Sequence, residues 1–303
     1  FSNLPNQTRS QIAQATTPTG LSPTAEYLSK DKHTIKTAFQ LRDGRLIETV
    51  LMRYRKRNSL CISTQAGCAM GCVFCATGQM GYGRNLTAGE IIEQVLFHAR
   101  KLKEEGAKLT NVVIMGMGEP FHNYNATLAA INRLNDQDGF RMGERRFTIS
   151  TVGLIPEIKR FTEESRQINL AISLHAADDT LRKQLIPISS KYPLKELMQA
   201  CHNYVMVTNR RITFEWALIK GVNDTPQQAE KLANLIEGML CHVNLIPLNS
   251  THAYDQKGST AETAHQFSQI LEHRHITATT RLRRGIDILA GCGQLASQPL
   301  GKE

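Results

Sequence analysis

The chain has 303 residues, of which 41% are hydrophobic and 21% are charged. This is the composition of an ordinary globular protein, and it excludes a mostly disordered chain. Its 36 Lys and Arg outnumber its 27 Asp and Glu, and the resulting formal charge of +9 favours polyanionic partners, of which nucleic acid is the commonest.

The cysteines and the apolar segments indicate the cellular compartment in which the protein works. No apolar run approaches the roughly 18 residues that a membrane span requires, and residues 1–14 lack the apolar core of a secretory signal. Three of the seven cysteines fall within residues 68–75, a spacing that suits no disulfide framework. We therefore expect a cytoplasmic protein without membrane contact, whose cysteines serve metal binding or catalysis. Because the chain begins with Phe1 rather than Met, we expect the native chain to begin upstream.

The first 50 residues predict a short polar helix over 1–14, an irregular Pro/Thr/Gly stretch over 16–24, and strands at 34–41 and 46–52. An alternation of strands and helices follows. The clearest helix begins at Thr87, which forms a capping box with Glu90 ahead of the apolar residues Ile91, Val95 and Leu96. Strands are predicted at 59–64, 111–115, 146–151, 168–174, 211–219, 242–247 and 276–281.

Alternating strands and helices predict parallel strands joined by right-handed crossovers. About six such units are fewer than the eight of a complete barrel. The sequence therefore predicts an α/β protein built on an incomplete (β/α)6 barrel with small N-terminal and C-terminal extensions.

The strongest chemical signal is a C-x3-C-x2-C motif formed by Cys68, Cys72 and Cys75, in a loop directly after the first barrel strand. Thiolates are the preferred ligands of iron–sulfur clusters. Three thiolates on a [4Fe-4S] cube leave one iron open, and that iron can chelate the amine and carboxylate of S-adenosylmethionine. The alternatives are a zinc knuckle, for which the flanking residues offer no fourth ligand, and a redox pair, which would not need Cys68.

Polar residues follow the other predicted strands. In a barrel of this type the carboxyl ends of the strands form the active face, so these residues are candidates for ligand binding. Taken one at a time, each is as well explained by a turn, a cap or a core histidine. They are Gly116, Gly118 and Glu119 after the second strand, Ser150 after the third, Ser173 and His175 after the fourth, and Asn249 after the sixth.

These motifs together resemble the radical S-adenosylmethionine superfamily. Within it, the chain is most similar to the bacterial methyltransferases that modify carbon 2 of adenine in 23S rRNA and tRNA. The resemblance runs from about residue 43 to residue 295. It is carried by the segments 61–68 (CISTQAGC), 75–78 (CATG), 84–87 (RNLT), 115–120 (MGMGEP), 173–175 (SLH), 247–249 (PLN) and 292–295 (CGQL).

The resemblance implies a [4Fe-4S] cluster on Cys68, Cys72 and Cys75, and S-adenosylmethionine as the second cofactor. It makes Cys292 the methyl carrier and Cys61 the thiol that resolves the intermediate. It also makes Glu48 the proton acceptor, although by itself Glu48 has the pattern of a surface carboxylate on a strand. The residues that it assigns to S-adenosylmethionine are Gly118, Glu119, Ser150, Ser173, Leu174, His175 and Asn249.

The implied reaction avoids a difficulty of adenine chemistry, because carbon 2 is electron-poor and cannot attack a sulfonium methyl. Cys292 first takes a methyl group from one S-adenosylmethionine. After cleavage of a second molecule at the cluster, hydrogen is removed from that methyl and the carbon radical adds to adenine, which gives a covalent protein–RNA adduct. Loss of the carbon-2 proton and attack by Cys61 on Cys292 free the product and leave a disulfide. Neighbouring arginines are expected to favour the thiolates.

The two remaining cysteines and three basic groups complete the candidates. Cys201 and Cys241 fit buried apolar positions. Basic groups at 53–57 and 281–284 adjoin Cys61 and Cys292, where RNA phosphates would lie, and a third occupies 141–146. Such groups are usually only a solvated surface.

The resemblance also implies domains and partners. We expect residues 1–52 to be the remnant of an N-terminal accessory domain with its leading strands, 53–275 to be the barrel core, and 276–303 to be a C-terminal strand and the methyl-carrier loop. The expected partners are an RNA substrate and an electron donor such as a flavodoxin, for a chain that is a monomer. The alternatives are a related adenine-carbon-8 methyltransferase and a non-catalytic, metal-bearing RNA-binding protein.

Overall fold

The computed structural model describes residues 4–15, 20–281 and 283–296. After the helix α1 (Asn6–Ala15), four strands form an antiparallel meander: β1 (Leu21–Leu28), β2 (Thr34–Leu41), β3 (Leu46–Tyr54) and β4 (Arg57–Cys61). β2 and β3 confirm two predicted strands. β1 was missed because the sequence signal at Pro23 is that of a loop. Pro23 is tolerated since β1 is the edge strand, and the register shifts between Pro23 and Ala25.

A small two-stranded sheet follows the meander. β5 (Gln65–Gly67) pairs with β6 (Tyr82–Asn85), and the segment between them contains the short helix α2 (Ala76–Gln79). The sequence did not predict these strands, because each is too short for a periodic pattern. They bracket the loop of the C-x3-C-x2-C motif and fix where it begins and ends.

The remaining strands are all parallel and extend the sheet from β4. Their order is β4-β7-β8-β9-β10-β11-β12, so ten strands form one continuous sheet. Six of these seven, from β4 to β11, are the predicted (β/α)6 barrel, which is confirmed. The strands are β7 (Asn111–Ile114), β8 (Phe147–Thr151), β9 (Asn169–Ser173), β10 (Ile212–Leu218), β11 (Cys241–Pro247) and β12 (Ala278–Thr280).

The helices between the strands cover the outside of the sheet. On α3, Ile91, Val95 and Leu102 follow a helical period and are all buried. The predicted capping box is present, since the Thr87 hydroxyl accepts from Glu90 N and the Glu90 carboxylate accepts from Thr87 N. The helices are α3 (Ala88–Glu104), α4 (Tyr124–Asn135), α5 (Ile155–Glu163), α6 (Asp179–Leu185), α7 (Leu194–Thr208), α8 (Pro226–Ile236) and α9 (Ala261–His273).

The architecture decides where a site can form. Because β4 and β7 to β12 are parallel, their carboxyl ends meet at one edge of the sheet. The third basic group, Arg141, Arg145 and Arg146, precedes β8 and lies at the opposite edge. Among the helices in the described part of the chain, none is both long and apolar enough to span a lipid bilayer.

Candidate active site

A cavity opens at the carboxyl ends of the parallel strands. Its volume, counted out to open solvent, is about 950 Å³. Most of the predicted site residues converge on it, although they are spread over 225 positions of the sequence, from 68 to 292. Those that line the cavity are Cys68, Cys72, Cys75, Gly118, Glu119, Ser150, Ser173, His175, Asn249 and Cys292.

The motif cysteines lie on the loop that β5 and β6 bracket. Gly67 has a left-handed φ of 79°, and a side chain there would overlap the carbonyl oxygen of Gly81. Cys68 N donates to that same oxygen at 2.8 Å, and Cys75 N donates to Cys72 O at 3.1 Å. The loop is therefore held closed by its own backbone, with three free thiols facing the cavity.

The spacing of these thiols bears on the kind of metal. In the described part of the chain, no three His, Cys, Asp or Glu side chains converge tightly enough to hold a single metal ion. The three motif thiols line one cavity, and each would bind a different iron of a four-iron cube.

A buried cation beside the loop also fits an anionic cluster. Arg182 on α6 is fully buried and donates to the carbonyl oxygens of Val152 at 2.6 Å and Tyr192 at 3.4 Å, but it forms no ion pair within the described residues. Burial raises the pKa of the Cys72 thiol well above its ordinary value, and the Arg182 charge opposes that shift. A cluster on three thiolates would supply the negative charge that this guanidinium lacks.

Glu119 is fixed by the backbone. It is buried, and its two carboxylate oxygens accept from Phe121 N at 3.0 Å and from Val152 N at 2.9 Å. Burial raises its pKa to about 7, which these two hydrogen bonds partly oppose. A cationic ligand in the cavity would stabilise the carboxylate form further.

The glycines beside Glu119 are required by the protein's own packing. Gly118 has a φ of 100°, and a Cβ there would lie 2.5 Å from the Gln65 Cβ. A Cβ at Gly116 would lie 2.6 Å from Ile62 O. The packing of the protein itself therefore explains both glycines.

The ends of β8 and β9 bring two hydroxyl groups together. The Ser150 and Ser173 Oγ atoms are 3.3 Å apart. His175 has a left-handed φ of 57° and accepts from Ala217 N through Nδ1 at 2.9 Å. Burial lowers its pKa to about 3, so it is a neutral imidazole. Leu174 does not line the cavity, because its side chain packs in the core, and only its backbone could reach a ligand.

The segment that carries Cys292 covers the cavity from the C-terminal side. Cys292 is exposed, as its glycine-flanked setting predicts. The Asn249 side chain donates to Cys292 O at 3.2 Å and accepts from Arg283 at 3.2 Å. Asn249, a predicted S-adenosylmethionine ligand, is therefore bonded to the segment that carries Cys292.

Cys61 lies at the end of β4 and does not line the cavity. Burial raises its pKa to about 12, and the nearby Cys292 raises it further. The pKa of the Cys292 thiol is also raised, chiefly because the protein around it removes water from the sulfur. Arg281 opposes both shifts but does not overcome them. The expected direction is therefore correct, since Arg281 favours both thiolates, but burial outweighs it.

Two other expectations about single residues are settled by burial. Glu48 is 1% exposed and forms an ion pair with Lys36, with 3.2 Å between Oε1 and Nζ. Its interpretation as a surface carboxylate is therefore wrong. The burial of Cys201 and Cys241 is confirmed.

Glu215 is a cavity residue that sequence reasoning missed. It is buried on β10, where Oε1 accepts from Asn244 at 2.8 Å and lies 3.8 Å from Arg281. Its Oε2 is buried without a hydrogen-bond partner among the described residues, and burial raises its pKa. The available signal was a carboxylate in the middle of an otherwise apolar strand.

Two of the basic groups meet at Tyr54, the last residue of β3. The Tyr54 ring lies between the guanidinium groups of Arg57 and Arg284, each 4.5 Å from its centroid. Arg284 also donates to Arg53 O at 3.4 Å. The residues that precede Cys61 and those that precede Cys292 therefore form one basic surface.

Comparison with known proteins gives a consistent result. The model of the radical SAM superfamily matches residues 62–236. The dual-specificity RNA methyltransferase RlmN 1 of Myxococcus xanthus is 53% identical over 270 residues, which are 89% of this chain and 75% of that protein. The probable dual-specificity RNA methyltransferase RlmN of Alkaliphilus oremlandii is 45% identical over 300 residues, 99% of this chain and 87% of that protein. A crystal structure of a radical SAM methyltransferase from Sphaerobacter thermophilus matches with a TM-score of 0.95 and 50% identity, covering 98% of this chain and 87% of that one.

Proposed function

We propose that this chain, which belongs to the radical SAM superfamily and within it to the RlmN-type RNA methyltransferases, methylates carbon 2 of adenosine in 23S rRNA and tRNA. The family uses a [4Fe-4S] cluster and S-adenosylmethionine as cofactors. The observation that carries the proposal is a single cavity lined by both the three motif thiols and the exposed Cys292.

The cavity residues divide between the two cofactors. Cys68, Cys72 and Cys75 would hold the cluster. When bound, the cluster and S-adenosylmethionine supply one-electron cleavage of a sulfonium bond and hence a carbon radical. The residues proposed to hold S-adenosylmethionine are Gly118, Glu119, Ser150, Ser173, His175 and Asn249, together with the backbone of Leu174.

Cys292 is the proposed methyl carrier. Its thiol is the exposed one in the cavity, so it can reach a methyl donor that the strand ends hold. A methyl group on its sulfur then lies beside the motif loop, because Ala76 N donates to Gly293 O at 2.7 Å. Holding the methyl on a side chain fixes its position for reaction with the base.

Cys61 is the proposed resolving thiol. Cys292 lies near enough to raise the pKa of Cys61, and disulfide formation requires two neighbouring thiols. Glu48 is the proposed proton acceptor, and its Oε1 lies 3.2 Å from the Lys36 ammonium.

The RNA would bind at the basic surface formed by Tyr54, Arg57 and Arg284. Guanidinium groups neutralise phosphates, and the Tyr54 ring packs against two of them. The target adenosine must leave its stack to enter the cavity. We also propose a cytoplasmic monomer that receives electrons from a flavodoxin-type donor. A non-catalytic RNA-binding protein is disfavoured, since such a protein needs neither the cavity nor the adjacent thiols.

The test compares two cysteine variants. Cys61→Ala should accept a methyl on Cys292, add to adenine and then stall, because the carbon–sulfur bond has no route of cleavage without a second thiol. A protein–RNA crosslink should appear in denaturing gels, and nucleoside mass spectrometry should show no 2-methyladenosine. Cys292→Ala should form neither crosslink nor product.

Two control variants make the result specific. Cys72→Ala should lose the cluster and form no crosslink. Cys201→Ala removes a buried thiol on α7 outside the cavity and should still give product. Normal turnover by Cys61→Ala would refute its resolving role, and an iron-free protein with intact C-x3-C-x2-C cysteines would refute the cluster.

A further inference from the structure

The segment from Leu289 to Ala296 carries Cys292 and is docked on ligand-binding parts of the cavity. It bonds to the motif loop and to α2, where Ala76 N donates to Gly293 O at 2.7 Å and Thr77 Oγ1 donates to Leu295 O at 2.6 Å. Asn249 donates to Cys292 O, and Gln294 donates to Ser250 O at 3.2 Å. Several of these contacts involve residues that line the cavity.

Both ends of the segment bond to one buried ion pair. Lys36 on β2 and Glu48 on β3 are 2% and 1% exposed, and their charged atoms are 3.2 Å apart. Lys36 Nζ donates to Leu289 O at 3.5 Å, and Ala296 N donates to Glu48 Oε2 at 3.0 Å. The two oxygens of Glu48 thus serve two purposes, since one faces the lysine and the other holds the end of the segment.

A buried ion pair contributes little net stability compared with apolar residues of the same size, because both charges lose their hydration. A buried ion pair matters most to a protein where it fixes the position of another part of the chain. Here the pair spans an eight-residue segment, and the Tyr27 ring, 5.3 Å from Lys36 Nζ, gives the ammonium a further contact. The position of the pair is therefore tied to that of Cys292.

We propose that Lys36 and Glu48 form a latch that holds the Cys292 segment in its docked position, with Lys36 as a positioning residue for the methyl carrier. The functional role of the latch rests on the proposed function, in which Cys292 is the methyl carrier. Any proton that Glu48 accepts makes it neutral, so its attraction to Lys36 and its charge-assisted bond from Ala296 N both weaken. The proton acceptor thereby releases the segment at the stage when Cys61 must reach Cys292.

The double variant Lys36→Met/Glu48→Met tests the latch, because it replaces both charges with apolar side chains of similar length. Amide hydrogen exchange of the peptide 289–296 and alkylation of Cys292, followed by mass spectrometry, are measured on the protein as purified, without RNA. Both rates should rise about tenfold, the effect of losing one charge-assisted hydrogen bond. The thermal midpoint should stay within a few degrees of the original, as for other buried pairs replaced in this way.

A matched control removes a different ion pair. Arg166→Met/Glu144→Met deletes a partly buried pair at the opposite edge of the sheet and should leave both rates at Cys292 unchanged. A merely structural role for Lys36 and Glu48 predicts that a folded double variant keeps the segment protected, and that result would overturn the latch.

A single variant keeps the proposal testable if the double variant does not fold. Glu48→Gln retains the shape and removes the charge, and it should raise both rates about threefold, as expected when a charged acceptor becomes neutral. Unchanged rates in folded Glu48→Gln would also overturn the latch. Because none of these measurements uses RNA or turnover, they test the latch even if the proposed methylation is wrong.

Discussion

The shielding of Cys61 gives a quantitative prediction. Burial raises its pKa from 9.0 to about 12, and only the thiolate reacts with alkylating reagents. Each pKa unit lowers the thiolate fraction tenfold, so Cys61 in the folded protein should react about a thousandfold more slowly than in the unfolded chain. The measurement is iodoacetamide labelling followed by peptide mass spectrometry, with the protein in denaturant as the reference.

A second variant separates electrostatics from access. Cys292→Ala removes one of the groups whose charge raises the Cys61 pKa, and should therefore speed the labelling of Cys61 at a pH high enough to ionise Cys292. Cys201 is the matched control, since burial raises its pKa to about 12 as well but it lies outside the cavity and should not respond. Labelling of native Cys61 at the unfolded rate would refute the reasoning.

Three further predictions concern the frame of the site. Gly118→Ala should destabilise the protein by about 2–4 kcal/mol in thermal or denaturant unfolding, because its φ of 100° disfavours a side chain and the new Cβ would lie 2.5 Å from Gln65; an unchanged midpoint would contradict this. Burial lowers the pKa of His98 from 6.5 to about 3. Its contribution to folding stability is therefore present above the unfolded pKa and is lost as pH falls. His98→Gln should reduce the loss of stability between about pH 7 and about pH 5.5 by about 1 kcal/mol. Arg57→Ala/Arg284→Ala should weaken RNA binding and lower the slope of log affinity against log salt by roughly 1–2, and an unchanged slope would show that this surface does not contact phosphates.

The barrel could be predicted from sequence because its strands and helices have long periodic patterns. The helix at Thr87 was located by its capping box, and the parallel strands by their apolar runs between helices. β1, β5 and β6 were missed for a common reason. Their positions depend on pairing with distant segments, and three or four residues, or a strand containing Pro23, carry no local signal of that pairing.

The site was predictable where a residue's role follows from position along a strand. The motif cysteines and the strand-end residues meet because parallel strands bring their carboxyl ends together. The surroundings of Glu48 and Glu215 could not be inferred in this way. Glu48 is buried by a lysine on the neighbouring strand and by the C-terminal segment, and Glu215 faces a cavity whose other walls come from distant strands.

Cys61 and Cys292 differ in exposure to solvent more than in acidity. Both have raised pKa values, and Arg281 opposes the shift at each. A disulfide between them forms by attack of a thiolate and requires an oxidant. Keeping both thiols protonated slows that reaction, while the exposure of Cys292 lets it meet the methyl donor first. Methylation of Cys292 then leaves a thioether that cannot ionise, so the Cys61 thiolate needed for the resolving step forms beside a sulfur that carries no charge.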